Sequence, residues 1–251
     1  MNWILFGIAG SIAQLVDGAL GMGFGLTSST LLLTFGASAV VASMAVHIAE
    51  IGTTLASGIS HWHADNVDRS ILLRLAIPGG VGAAAGATFL SSIDLSNAKI
   101  FISTLLLFLG FLLLYRNLFQ PESQVDAHEI SNPRYLVFLG FTGGFVDAAG
   151  GGGWGPIVTP TLLATTKTEP RKIIGTVSAA EFIVAVCASL GFLINIRQLD
   201  IEWSVVGGLA LGGILMAPIA AKLVGWLPRK QLGISVAVIV ILINGLRLLG
   251  V

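Results

Sequence analysis

Asp17-Gly-Ala-Leu-Gly21-Met-Gly23-Phe24-Gly25 and Asp147-Ala-Ala-Gly-Gly151-Gly-Gly153-Trp154-Gly155 are two versions of one phrase. They stand 130 residues apart, and Asp, Gly, Gly, an aromatic and Gly coincide in order. Each interrupts a long apolar run, so a helix crossing a membrane is expected to break there. Interrupted helices at corresponding places of two halves are the best pointer in a sequence to a transporter's binding site.

Working outward, the 251 residues are 55% hydrophobic and only 10% charged, with a mean hydropathy of +0.90. A soluble domain carries roughly a quarter charged residues. Apolar runs near twenty residues recur along the chain, the length that crosses about 30 Å of hydrocarbon. The composition therefore reads as an all-α polytopic membrane protein. Thirteen basic residues balance thirteen acidic ones, which leaves no electrostatic case for nucleic acid. The start, Met1-Asn-Trp-Ile, lacks a basic lead-in and reads as the first membrane segment. The single cysteine, Cys187, permits no internal disulfide and no cysteine metal motif.

Residues 3–35 form the first block, broken at the glycines, and spans are expected at 39–60, 70–90 and 97–115. A polar linker at 117–133 joins two units, 1–116 and 134–251. The second unit repeats the plan, with a broken block at 134–165 and spans near 172–195, 203–224 and 231–249. The likeness extends past the glycines: His47 and Glu50 align with Ser178 and Glu181, and Gly82 with Gly212. Small residues such as those two glycines let membrane helices approach closely. Arg69, Arg74, Arg116, Lys167, Arg171, Lys172, Lys222, Arg229 and Lys230 all fall on the cytoplasmic side if the second unit runs opposite to the first. That solution makes each broken block a re-entrant or tilted hairpin, because it is short for two full spans. The expected architecture is two inverted repeats, each a hairpin plus three transmembrane helices.

These residues resemble the TauE/SafE family, also called the sulfite exporter or TSUP family, over nearly the whole chain. The likeness rests on the paired breaks, the Gly155-Pro156 step after the second, and the helices carrying Glu50 and Glu181. What the resemblance implies is export of a small sulfur-containing anion, such as sulfite or an organosulfonate like sulfoacetate, across a bacterial inner membrane. One departure is Leu26 at the place where the second copy has Pro156, so the two hairpins are expected to differ.

Glycines at a break free backbone groups that lipid does not tolerate, so they must line a protein-enclosed cavity or be satisfied by substrate. A helix restarting after them presents N–H groups and partial positive charge, a seat for an anion. The residues expected to bind substrate are thus Gly21, Gly23, Gly25, Thr27, Ser28 and Ser29 in the first half. Gly151, Gly153, Trp154, Gly155 and Thr159 are their counterparts in the second, and Gln14, His47 and Ser178 join them. The competing reading is that the glycines permit tight packing and the hydroxyls bond their own backbone. Asp17, Glu50, Asp147 and Glu181 are ionisable groups inside membrane segments, which by default mark ion or proton pathways. They are the expected proton-coupling residues, with a cap on the broken helix as the alternative for the two aspartates. His61, His63 and Asp65 suggest a metal by composition, yet their spacing beside Trp62 reads as an interfacial loop. No metal and no cofactor are expected. No nucleotide-binding loop is present, so a secondary exporter leads. An anion channel is the alternative, and an intramembrane hydrolase built on Ser57 or Ser60 with His47 lacks a nucleophile–base–oxyanion arrangement. A homodimer is compatible with the small-residue faces.

Overall fold

The computed structural model describes residues 3–20, 22–119, 133–166, 168–195, 203–223 and 229–250. Within them lie ten α-helices and no strand: α1 (Trp3–Leu20), α2 (Phe24–Thr34), α3 (Ala39–His63), α4 (Arg69–Ser92), α5 (Leu95–Phe119), α6 (Pro133–Gly150), α7 (Trp154–Thr165), α8 (Pro170–Asn195), α9 (Trp203–Leu223) and α10 (Arg229–Leu248). Most of the linker expected at 117–133 lies outside the described residues, as do Gly21 and Lys167. Both helix breaks fall at the expected glycines. Four helices, α3, α4, α5 and α8, are long and apolar enough to cross a bilayer, and shorter apolar runs occupy 3–17, 24–34, 203–217 and 233–249.

The helices pack as a row in the order α6, α4, α8, α3, α9, α1. The short helices α2 and α7 lie against α3 and α8, and α5 packs with α10 on their other side. These main contacts are preserved when each helix is exchanged for the one five places along. The halves therefore interleave, since α1 of the first rests on α9 of the second and α6 of the second on α4 of the first.

Glycine makes this row possible. A Cβ on Gly82 would collide with the Phe141 carbonyl, and one on Gly144 with that of Gly79. At the other end of the row, Gly212 meets the Gly7 carbonyl and Gly10 meets Leu209. Lipid tails are as apolar as leucine, so these helices associate through close packing and not through expulsion of water. The outward faces carry Ile8 and Ile12 on α1, Phe108 and Phe111 on α5, and Phe138 on α6, all exposed. Such a continuous apolar exterior suits hydrocarbon and not water.

Asp68 and Asp94 terminate the loops before α4 and α5 as N-caps. Asp68 Oδ1 accepts from the backbone of Ser70 and Ile71 at 2.9 and 3.2 Å. Asp94 Oδ1 accepts from Asn97 and Ser96 at 2.9 and 3.1 Å. The backbone N–H of Asn97, seconded by the Asn97 side chain and the Ser96 N–H, holds the Asp94 carboxyl below its ordinary value. A depressed folded-state value means the cap's contribution is present above the unfolded carboxylate range and is lost as pH falls through the folded value. The hydrogen-exchange protection factors at Ser96 and Asn97, taken against the intrinsic rate at each pH, should therefore fall on acidification in the native chain. Asp94→Asn, which caps without titrating, should remove that pH dependence, and an unaltered profile in this variant would assign the effect elsewhere.

One sequence expectation is corrected at the α3 end. His61-Trp62-His63 is the last turn of α3 and not a loop. The chain stays helical there because α8 supports it: a Cβ on Gly175 would sit 3.0 Å from His61 Nδ1, and Thr176 Oγ1 accepts from Asp68 N at 2.8 Å. Arg69 lies over the Trp62 ring at 4.8 Å, closing the α3–α4 corner by a cation–π contact.

Candidate functional site

The two breaks meet each other. A Cβ on Gly25 would lie 2.6 Å from Gly152 Cα and 3.0 Å from the Gly151 carbonyl oxygen, and one on Gly155 would lie 2.9 Å from Met22 Cα. Ser29 closes the contact by donating from its hydroxyl to the Gly151 carbonyl. Gly23, Gly151 and Gly152 have φ of 120°, 70° and 148°, a region that favours glycine. The space a side chain would take is thus occupied by the opposite backbone at Gly25 and Gly152, by the Ser29 side chain at Gly151 and by Met22 at Gly155. Gly153 is different, since its Cβ would strike Val146 and the Asp147 backbone within its own hairpin. Its replacement would damage the hairpin before it touched any anion.

The aspartates cap the restarting helices across the breaks. Asp147 Oδ1 accepts from Gly153 N at 2.7 Å and Trp154 N at 3.0 Å. In the first half Asp17 Oδ1 accepts from Phe24 N at 3.4 Å. A carboxylate at a helix N-terminus is favoured by both the free N–H groups and the dipole. On α7 the seat for an anion is therefore largely filled by the chain's own Asp147, and Pro156 removes one more donor from that turn. On α2, where Leu26 replaces the proline, the capping is looser.

Trp154 is fully buried and donates from its indole to the Val177 carbonyl at 3.2 Å, tying the start of α7 to α8. The hydroxyls of Thr27, Ser28 and Thr159 are buried and have no hydrogen-bond partner among the described residues. Buried polar groups are nearly always paired, so such a set asks for an explanation. Gln14 is buried on α1, while Ser178 and Glu181 are half-buried on α8.

The densest polar grouping joins α3 to α6. His47, Glu50 and Asp147 are 0%, 2% and 2% exposed. His47 Nε2 lies 3.2 Å from Asp147 Oδ2, and His47 Nδ1 donates to the Ser43 carbonyl at 2.7 Å. Ser43 in turn donates from its hydroxyl to the Ala148 carbonyl at 2.6 Å. One donor atom from each of His47, Glu50 and Asp147 lies within 4.8 Å of the others, a grouping that could hold a metal ion. Among the described residues, His61, His63 and Asp65 form no such group.

Ser43, Asn244 and Arg116 were not singled out from the sequence as site residues. Ser43 stands four residues before His47 and seven before Glu50, so Ser43, His47, Glu50 and Thr54 form one polar stripe on an apolar helix. That periodicity was the available signal. Asn244, fully buried on α10, donates to Thr30 Oγ1 at 3.2 Å, and Arg247 donates to Thr34 Oγ1 at 3.1 Å. Arg116 reaches inward from α5 and donates to the Pro156 carbonyl at 2.6 Å. That carbonyl would normally receive the N–H of residue 160, which is a proline, so the guanidinium supplies the missing donor.

The family model described as Sulfite exporter TauE/SafE matches residues 6–247. A protein of Bacillus subtilis (strain 168) named "Probable membrane transporter protein YtnM" is 45% identical over 247 residues, covering 98% of this chain and 82% of that protein. No solved structure matches.

Proposed function

Because the chain belongs to the sulfite exporter TauE/SafE family of membrane transporters, we propose that it is a secondary transporter exporting a small sulfur-containing anion, sulfite or an organosulfonate such as sulfoacetate, coupled to the proton gradient. The observation that carries this reading is the closure of two helix breaks, 130 residues apart in sequence, upon each other. Irregular backbone at membrane depth is tolerated where it is buried in protein or lines a cavity. Backbones that meet largely through glycine can part with little side-chain packing to break, the Ser29 and Met22 contacts apart, which suits a site that opens alternately to each side. Thr27, Ser28 and Thr159, with hydroxyls lacking partners beside the breaks, are the groups offered to the anion's oxygens. The exchange pattern of helix contacts supports two inverted repeats, each a hairpin plus three transmembrane helices.

Among the carboxylates, Asp17 and Asp147 are engaged as caps, and the coupling role falls most directly to Glu181. A carboxyl that takes a proton as the anion enters spares the core an uncompensated charge. Purified protein should be stabilised selectively by one of sulfite, sulfoacetate, taurine, sulfate and acetate, read by thermal shift. Proteoliposomes should then show saturable flux of that anion that responds to an imposed pH gradient. Glu181→Gln should flatten the pH dependence while leaving the protein folded; an unaltered pH profile removes Glu181 from coupling. Flux that never saturates would favour the channel.

A further inference from the structure

At the α3–α6 junction His47 and Asp147 each have one atom held by the protein and another turned towards the other, with Glu50 beside them. His47 Nδ1 faces the Ser43 carbonyl, which can only accept, so a neutral ring carries its one proton on Nδ1 and turns the Nε2 lone pair towards Asp147. Asp147 has Oδ1 committed to two backbone N–H groups, which leaves Oδ2 directed at His47. Glu50 is 2% exposed and its Oε2 has no partner among the described residues. Three electron-rich atoms thus converge in the protein interior. Leaving them so is costly, because buried charge and buried acceptors need compensation.

We propose that His47, Glu50 and Asp147 form a binding site for one divalent transition-metal ion, with His47 Nε2, Asp147 Oδ2 and a Glu50 carboxylate oxygen as ligands. The spacing supports an ion at this place. A charge-assisted N–H···O bond runs about 2.7–2.9 Å, and Nε2 and Oδ2 stand farther apart, at 3.2 Å. Two ligands each about 2.0–2.1 Å from a tetrahedral metal lie roughly 3.3 Å from one another. Glu50, on a flexible side chain one helical turn from His47, closes the remaining distance. The surroundings have the form found around metal ligands, an imidazole donating its other N–H to a carbonyl and a carboxylate fixed by hydrogen bonds. One imidazole with two carboxylates suits zinc, cobalt, iron or manganese; calcium and magnesium prefer oxygen alone. The ion's two charges balance the two carboxylates and staple the first half of the chain to the second. With Glu50 engaged by the ion, coupling rests with Glu181.

The site is tested without any transported anion, so its failure is separate from failure of the transport reading. Full-length protein, stripped with chelator and returned to chelator-free detergent, is titrated with Co2+ while visible d–d absorption is followed. Metal content is measured in parallel on protein purified without chelator. One equivalent should bind, with a d–d spectrum distinct from aqueous Co2+ and displacement by Zn2+. Glu50→Gln, close to native in volume, should weaken Co2+ binding by about a hundredfold, given that loss of even an outer-shell partner costs about 10–100-fold. His47→Ala should abolish the spectrum, whereas a His61→Ala/His63→Ala double variant should keep it. If His47→Ala does not fold, Glu50→Gln decides alone. A Co2+ spectrum that never departs from the aqueous ion, or an affinity unaltered in Glu50→Gln, overturns the proposal.

Discussion

Gly152→Ala is expected to cost about 4 kcal/mol or more, in the range reserved for severe defects, and to abolish transport. Two separate penalties combine at this residue. Its φ of 148° is one that residues with a side chain rarely adopt. Its Cβ would also collide with the peptide between Gly25 and Leu26 and lie 2.8 Å from Gly25 Cα. The obstacle is backbone from the other half of the chain, so no rotamer change relieves it. Gly207 and Gly245 lie within α9 and α10 and a Cβ on either meets nothing within 4 Å. Alanine there should be neutral, or stabilising by up to about 1 kcal/mol through helix propensity. Denaturation in mild detergent, monitored by circular dichroism, separates the two classes. A Gly152→Ala protein as stable as the Gly207→Ala control would mean that the breaks do not touch.

Asp147→Ala should destabilise by about 2–5 kcal/mol, since two buried backbone N–H groups lose their acceptor and each unsatisfied donor costs about 1–3 kcal/mol. The loss strands the N–H groups of Gly153 and Trp154 and leaves His47 without its neighbour. Asp147→Asn keeps an oxygen for the two N–H groups and should recover most of the stability. The same substitution at Asp17 removes one long contact of 3.4 Å, so Asp17→Ala should cost about 1 kcal/mol, as for an ordinary cap. Chemical denaturation of the three variants gives the comparison. Equal losses at positions 17 and 147 would show that the asymmetry of the two caps has no energetic meaning.

Much of the architecture was legible because membrane burial writes itself plainly into a chain. Apolar run length and glycine interruption place the two breaks between α1 and α2 and between α6 and α7. The offset of 130–131 pairs the aspartates, the glutamates and the packing glycines Gly82 and Gly212. The end of α3 was misread because His61 and His63 are polar, while their helical state depends on α8 packing beneath them. Arg116 was legible only as a loop charge, since no local pattern announces that a proline four residues on leaves the Pro156 carbonyl in need of a donor from α5.

The sequence by itself determined that this is a helical membrane protein, where its helices break, and which residues the two halves share. Periodicity and run length are local properties, and a bilayer permits few ways to satisfy the backbone. Only the tertiary structure decided that the glycines hold two breaks against each other. It alone revealed that Asp147 fills the N-terminus of α7, and that His47 of α3 meets Asp147 of α6 across 100 residues of chain. The physical reason is that such contacts depend on which helices become neighbours. That choice rests on backbone approach along whole helix faces, which no single stretch of sequence encodes.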